Sequence, residues 1–301
     1  MLKLPRLESL GASFSDDIVL APAAGDPNPG TLRGPTAFGD DVPTGRRLCV
    51  RARLTPDGNR LHFDYSDSDE RTDAQPNIRI SVEQVQLATL AGVNRVMDRA
   101  ADDRETLSRF LVTTQPTSWV GGEAGEPMFA AFGMARVYDA ALGAMANAWP
   151  SRVGAGSCSL GAIVSLRSGE DEVYEVLEGG EGATPTRAGA DNWPCPLSPP
   201  CRGSAPWLST EESTRPDTGG LGARRGGDGM QRVYTVAQAA TVTVAIDRVT
   251  NPPHGIDRAG PPQPAEFWIR PPNGELQRGT PWIRHELPAG STVIVKTAGG
   301  A

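Results

Sequence analysis

The chain has 301 residues, with 29 basic and 36 acidic side chains, a formal net charge of −7 and 38% hydrophobic residues. That balance suits one large or two small globular domains and excludes a nucleic-acid footprint, which needs a concentrated cationic face. With 35 glycines and 27 prolines, roughly a fifth of the positions favour turns and irregular loops, which excludes a mainly helical bundle.

The first residues carry many Gly and Pro without sustained periodicity, so 1–46 is predicted to be an irregular N-terminal arm. Leu48, Val50, Ala52 and Leu54 then alternate with Arg47, Cys49, Arg51 and Arg53. A turn over Thr55 to Asn59 leads to Leu61, Phe63 and Tyr65, alternating with Arg60, His62 and Asp64. This is a β-hairpin with one wet face. Ser81 and Gln84 have the spacing of a capping box, predicting a helix from there to about Ala100. A second helix is predicted from about Phe132 to Trp149, on the stripe Met134, Val137, Tyr138, Ala141, Leu142 and Met145, with Pro150 ending it. Ile163–Leu166 and Val173–Leu177 form another hairpin.

Glycine and proline crowd the stretch 179–229, which is predicted to be a long loop. Strands return at Val233–Val236 and at Val242, Val244 and Ile246. Phe267–Arg270, a turn at Pro272–Gly274 and Val293–Val295 complete the pattern. The prediction is an α+β, β-rich chain with two main helices and long Gly/Pro-rich loops. Its regions are 1–46, an α+β region over 47–230 and a β-rich region over 231–301.

No apolar run is long enough to span a bilayer, since Ala130–Trp149 is interrupted by Arg136, Asp139 and Asn147. Ile18–Ala21, followed by Pro22, is too short for a secretory signal. Four cysteines in a chain of this size read as reduced thiols, so a cytoplasmic protein without membrane contact is expected. Lysine occurs only as Lys3 and Lys296, which excludes a phosphate-loop or Schiff-base lysine within the core.

Residues able to carry chemistry are few. His62, His254 and His285 are far apart and have no zinc-ligand spacing; a solvated or structural role is the expectation for each. Cys195 and Cys201 are too widely separated for a zinc pair, and Cys49 and Cys158 are isolated. Ser157 lacks the flanking glycines of a nucleophile turn. Asp64, Asp67, Asp69, Glu70 and Asp73 form an acidic cluster interrupted by Arg71, read as a solvated turn rather than a calcium loop. No metal site is predicted.

The most specific string is Pro216-Asp217-Thr218-Gly219-Gly220-Leu221-Gly222-Ala223-Arg224-Arg225-Gly226-Gly227-Asp228-Gly229. Its glycines can expose backbone N–H groups as an anion nest, with the arginines adding charge-assisted bonds. The alternative is a close-packed backbone crossing in which any side chain would clash.

That string resembles the Asp-Ser-Gly-Gly-x-Gly-x-x-Arg-Gly-Gly signature of the hydantoinase B/oxoprolinase family. Further blocks resemble the family in the same order: Leu61–Ser66 with Pro76-Asn77, Gly121-Gly122, Arg136 and Asp139, Tyr174-Glu175, Gly179–Ala183, Pro253–Gly255 and Thr297–Gly300. The resemblance covers about 45–301. It departs at Asp67, in the short segment between Arg104 and Trp119, and over Ala190–Glu212. It implies the C-terminal portion of a B-type subunit of an ATP-dependent cyclic-amide hydrolase, opening hydantoin or 5-oxoproline rings and inactive alone. A non-catalytic scaffold and a subunit of an acetone carboxylase-like enzyme are the alternatives.

The implied partners are an A-type ATP-binding subunit and a separate N-terminal half carrying the Asp and His ligands of a divalent metal. ATP and that metal are expected in the full complex, with neither bound by this chain alone. The chain is read as a fragment, a split subunit or a diverged remnant. Catalytic residues are not assigned; the substrate or interface residues that the resemblance suggests are Asn77, Gly121, Gly122, Asp217, Gly219, Gly220 and Arg225.

Overall fold

A computed structural model describes residues 13–20, 32–33, 41–42, 46–70, 79–125, 127–146, 148–198, 203–255 and 260–301, with side chains described from Leu48 onward except at 127–129. In chain order the strands begin with β1 (Ser13–Leu20), β2 (Leu32–Arg33), β3 (Asp41–Val42), β4 (Arg46–Asp57), β5 (Arg60–Asp64) and β6 (Ile80–Ser81). Helix α1 (Val82–Met97), a 3₁₀ segment (Arg104–Arg109), β7 (Phe110–Thr113), β8 (Val120–Gly122) and α2 (Pro127–Met145) follow. Then come β9 (Ala162–Ser168), β10 (Asp171–Leu177), β11 (Leu208–Arg215), β12 (Gly229–Val236), β13 (Ala240–Ile246), β14 (Glu266–Arg270), β15 (Gln277–Arg278), β16 (Arg284–Leu287) and β17 (Thr292–Lys296). This is the α+β class that the sequence predicts.

The chain divides into two units, one of residues 1–18, 48–154 and 184–186, the other of 19–47, 155–183 and 187–301. Residues 230 and 231, where the sequence reading changes region, lie inside β12.

In the first unit, β4 and β5 form the predicted hairpin, pairing Arg53 with Asp64 and Asp57 with Arg60. Only Gly58 and Asn59 make the turn, and Gly58 supplies the left-handed φ of +58° that it needs. Leu48, Val50, Ala52, Leu54, Leu61 and Phe63 are buried, while Arg51, Arg53 and Arg60 are exposed, as period-two alternation demands. The chain then passes through α1 and returns as β7, parallel to β5, a connection that parallel pairing requires.

Ser81 caps α1: its side chain accepts from the Gln84 amide and the Gln84 side chain accepts from the Ser81 amide, completing the capping box. The helix ends at Asp98, whose left-handed φ of 59° stops it before Ala100. Helix α2 starts earlier than predicted, at Pro127, because proline fits the first helical position, where its missing N–H costs nothing. It ends at Met145 rather than Trp149, and the amides of Ala148 and Trp149 turn back onto the Met145 carbonyl. Arg136 and Asp139, both buried on α2, pair at 3.3 Å.

The second unit is built on two antiparallel sheets, β10-β9-β13-β16 and β11-β12-β17-β14-β15. Val164, Leu166, Val242 and Val244 from the first and Tyr234, Val236, Phe267, Val293 and Val295 from the second share one hydrophobic core. The β9–β10 hairpin turns on Gly169-Glu170, two residue pairs tighter than the sequence suggests.

The loop predicted over 179–229 needs correcting at its centre, where Leu208–Arg215 is a strand paired with β12 along its whole length. Its sequence lacks apolar alternation because it lies at a sheet edge with both faces largely exposed. Pairing with β12, not burial, makes it a strand.

Candidate functional site

The glycine string folds around one carboxylate. Asp217 takes a left-handed φ of 61°, a conformation that Asp tolerates better than most residues, and turns the backbone so that successive amides converge. Those of Thr218 and Gly219 each donate to Asp228 Oδ1 at 2.8 Å. Arg225 Nη2 donates to the same oxygen at 2.6 Å and reaches Asp217 Oδ1 at 3.4 Å. The Asp228 amide in turn donates to Asp191 Oδ1 at 2.7 Å, and the Gly229 amide to Thr218 Oγ1 at 2.9 Å. Asp228 is buried, whereas the Asp217 side chain is 95% exposed.

Two amides and an arginine of the string therefore cradle an anion, and that anion is the protein's own. Burial opposes ionisation of Asp228, but the two amides and the Arg225 guanidinium outweigh it and hold the carboxyl below its ordinary value.

Further amides in and around the string are also committed. Gly220 donates to Gly300 O at 2.8 Å, Gly226 to Gly220 O at 3.0 Å, Gly227 to Glu181 O at 2.8 Å and Gly300 to Gly227 O at 2.9 Å. Glu181 donates its amide to Ala190 O at 2.9 Å, and Gly189 donates to Arg225 O at 2.9 Å. Segments 179–183, 188–190, 218–228 and 298–301 are thus laced together through backbone groups. A Cβ on Gly227 would overlap the Ala190 carbonyl, and one on Gly219 the Gly226 carbonyl, so these chains approach only because no side chain intervenes. Glu181, buried within this lattice, is gripped by Arg187 at 2.7 and 2.8 Å and accepts the Ala190 amide at 3.1 Å.

Of the residues suggested by sequence, Asp217, Gly219, Gly220 and Arg225 come together here. Gly121 and Gly122 belong to β8 in the other unit, where Gly121 has φ of +96° and a Cβ would overlap Thr114. Asn77, Asp73 and Cys201 lie outside the described residues.

His62 shares a 2.8 Å hydrogen bond with Thr113 Oγ1, and His285 Nε2 donates to Thr280 O at 2.8 Å. Burial pushes the pKa of His285 down. His254 O accepts from the Gly156 amide. In the acidic cluster Asp69 accepts from the Cys49 amide and from Arg51, and Asp67 pairs with Arg53, so these carboxylates brace the hairpin. Cys49, Cys158 and Cys195 are buried, and the thiols of the first two donate to the carbonyls of Val50 and Ser159. Ser157 Oγ accepts from the Ser159 amide. Among the described residues no group of three His, Cys, Asp or Glu side chains is placed to hold a metal ion, so they do not fit the divalent ion that the resemblance implies.

Sequence reasoning left three carboxylates out of the site: Asp228, Glu181 and Asp191. Asp228 stood in the quoted string, three residues after Arg225, and an acid set among glycines close to an arginine was the signal available. A second polar cluster joins the two sheets of the second unit. Arg232 on β12 donates from Nε and Nη2 to the two oxygens of buried Glu175 on β10, at 3.1 and 3.0 Å, and from Nη1 to Glu212 at 2.9 Å. Tyr234 donates to Glu175 Oε2 at 2.7 Å. Burial and the Glu175 charge push the Tyr234 hydroxyl well above its ordinary pKa.

Solved structures share this α+β fold. The chain matches a nucleotide-free acetone carboxylase, described in terms of the mechanism of ATP-dependent acetone carboxylation, with a TM-score of 0.70 and 12% identity, over 97% of this chain and 45% of that one. It also matches an ATP-dependent caprolactamase from Pseudomonas jessenii, with a TM-score of 0.67 and 17% identity, over 99% of this chain and 52% of that one. The chain thus spans about half the length of these proteins. No curated protein matches it. A family model described as hydantoinase B/oxoprolinase matches residues 24–301, and the chain belongs to that family. Among the described residues no helix is long and apolar enough to cross a membrane.

Proposed function

We infer that the chain is the C-terminal portion of a B-type subunit in an ATP-dependent cyclic-amide hydrolase that opens a hydantoin or 5-oxoproline ring. The family match over residues 24–301 carries this reading. The ATP dependence stated for both structural neighbours supports it, and a caprolactamase acts on a cyclic amide.

In this reading an A-type partner uses ATP to phosphorylate the amide carbonyl, which makes it a far better target for water. Hydrolysis then requires a metal ion or an oxyanion site to stabilise the developing charge. Among the described residues no group of three His, Cys, Asp or Glu side chains is placed to hold a metal ion, the nest amides of Thr218 and Gly219 are filled by Asp228, and those of Gly220, Gly226 and Gly227 by carbonyls. The role assigned to this chain is to shape and rigidify, with the metal site contributed by a separate N-terminal half.

The test is reconstitution. The purified chain, an A-type subunit and the N-terminal half should together give ATP-dependent ring opening, followed as ADP and opened product. Arg225→Ala should diminish it. Ring opening by the other two components without this chain rejects the proposal. Turnover per assembled complex unchanged by Arg225→Ala, with assembly alone weakened, assigns the chain a purely scaffolding role. A second reading, a subunit of an acetone carboxylase-like enzyme, is favoured by the carboxylase neighbour and requires labelled bicarbonate to appear in the product.

A further inference from the structure

Strands β14 and β15 form a hairpin at the end of the five-stranded sheet away from β11, with Trp268 opposite Arg278 and Ile269 opposite Gln277. Phe267 is buried in the core and Ile269 packs against that core, so period-two alternation turns Glu266, Trp268 and Arg270 to the outer face. The Phe267 ring occupies the space that a Cβ on Gly279 would need, which sets Gly279 on the inner side and Arg278, one residue earlier, on the outer. The next pair in the same register is Arg270 opposite Leu276.

The outer face of this hairpin is therefore a two-by-two block, with Trp268 and Leu276 on one diagonal and Arg270 and Arg278 on the other. Leu276 is 47% exposed, one of two exposed large hydrophobic side chains among the described residues. Arg278 lies 5.8 Å over the Trp268 ring, and the Trp268 indole N–H donates to Glu266 Oε2 at 2.8 Å, so the ring is fixed before any partner arrives. Ile294 and Val233, half-buried and in register with Trp268, extend the apolar row across the sheet.

The charges of this face do not cancel. Arg270 and Arg278 are exposed and make no ion pair or hydrogen bond among the described residues. Glu266, which shares the outer face of β14, is already neutralised by Arg215 at 3.2 Å and Lys296 at 3.4 Å.

We propose that the outer face of the β14–β15 hairpin docks an acidic segment of a partner protein, with carboxylates on Arg270 and Arg278 and an apolar side chain on Trp268 and Leu276. Tryptophan and arginine dominate the energy of protein interfaces, and guanidinium–carboxylate bonds fix the register of what they hold. A second copy is a poor occupant, because a symmetric contact through this face sets four guanidiniums together. A nucleic-acid strand is a poor one too, because two cations on a chain of net charge −7 release few counterions.

The probe is an eight-residue peptide of repeating Asp-Asp-Leu-Leu, compared with the same peptide carrying arginine for aspartate, and the readout is NMR of the full chain. The acidic peptide should shift the Trp268 indole and the Arg270 and Arg278 side-chain signals, less strongly as salt rises, and the arginine peptide should not. Arg270→Glu combined with Arg278→Glu should weaken the acidic peptide by about tenfold or more and let the arginine peptide bind instead. Both positions are exposed, and an unchanged thermal midpoint shows that the fold is kept. Signals that stay fixed with either peptide, equal shifts with both, or a charge-reversed chain that still prefers the acidic peptide overturns the proposal. So does a dimer in sedimentation that the charge reversal dissolves, or a single-stranded oligonucleotide that shifts the same signals at lower concentration than the acidic peptide.

Discussion

Replacing Asp228 with alanine tests whether the glycine string is held by its own carboxylate. The change removes the single oxygen that accepts the Thr218 and Gly219 amides at 2.8 Å and Arg225 at 2.6 Å. Two amides in a buried turn then lack an acceptor, at about 1–3 kcal/mol each, and a charge-assisted bond to a partly exposed guanidinium is lost. Allowing for water entering the gap, the expected loss is about 3–5 kcal/mol. Asp228→Asn keeps an acceptor oxygen but not its charge, and should cost about 1–2 kcal/mol. Urea unfolding reads both as a lower midpoint at unchanged slope.

The pH dependence has a definite sign. The carboxyl is held below its unfolded value, so its contribution is fully present above the unfolded range near 4 and is lost as pH falls through the depressed folded value. The gap between wild type and Asp228→Asn should therefore narrow below about pH 4. A loss under about 0.5 kcal/mol for Asp228→Ala, or a gap independent of pH, refutes the account of the filled nest.

Other substitutions separate backbone packing from backbone conformation. Gly227→Ala forces a methyl into the Ala190 carbonyl and should prevent folding or cost well over about 3 kcal/mol. Gly58→Ala, at a φ of +58° with nothing within 4 Å, should cost only about 1–2 kcal/mol by thermal unfolding. Glu175→Ala leaves Arg232 buried beside Tyr234 without its main counter-charge, and should cost about 3–5 kcal/mol. Tyr234→Phe removes one hydrogen bond to the same carboxylate and should cost about 1–2 kcal/mol. Ser81→Ala deletes half of the capping box and should lower stability by about 0.5–2 kcal/mol, read as a lower denaturant midpoint.

Local physics was legible in the residues themselves. The β4–β5 and β9–β10 hairpins, the Ser81 cap, the two helices and the C-terminal strands follow from periodicity and turn chemistry, which act over a few neighbours. The family also follows from the string Asp217–Gly227 and its companion blocks, because so many glycines and arginines in fixed order rarely arise by chance.

Tertiary structure alone decided which acceptors those glycine amides would meet. No spacing rule pairs Gly220 with Gly300 or Gly227 with Glu181, since such bonds join segments far apart in sequence that carry no side-chain signal. Tertiary structure also placed Asp228 rather than a ligand in the nest, and made a strand of β11, whose residues lack the alternation that burial would impose. In each case the deciding interaction is a backbone group meeting a distant partner, and that depends on the path of the whole chain.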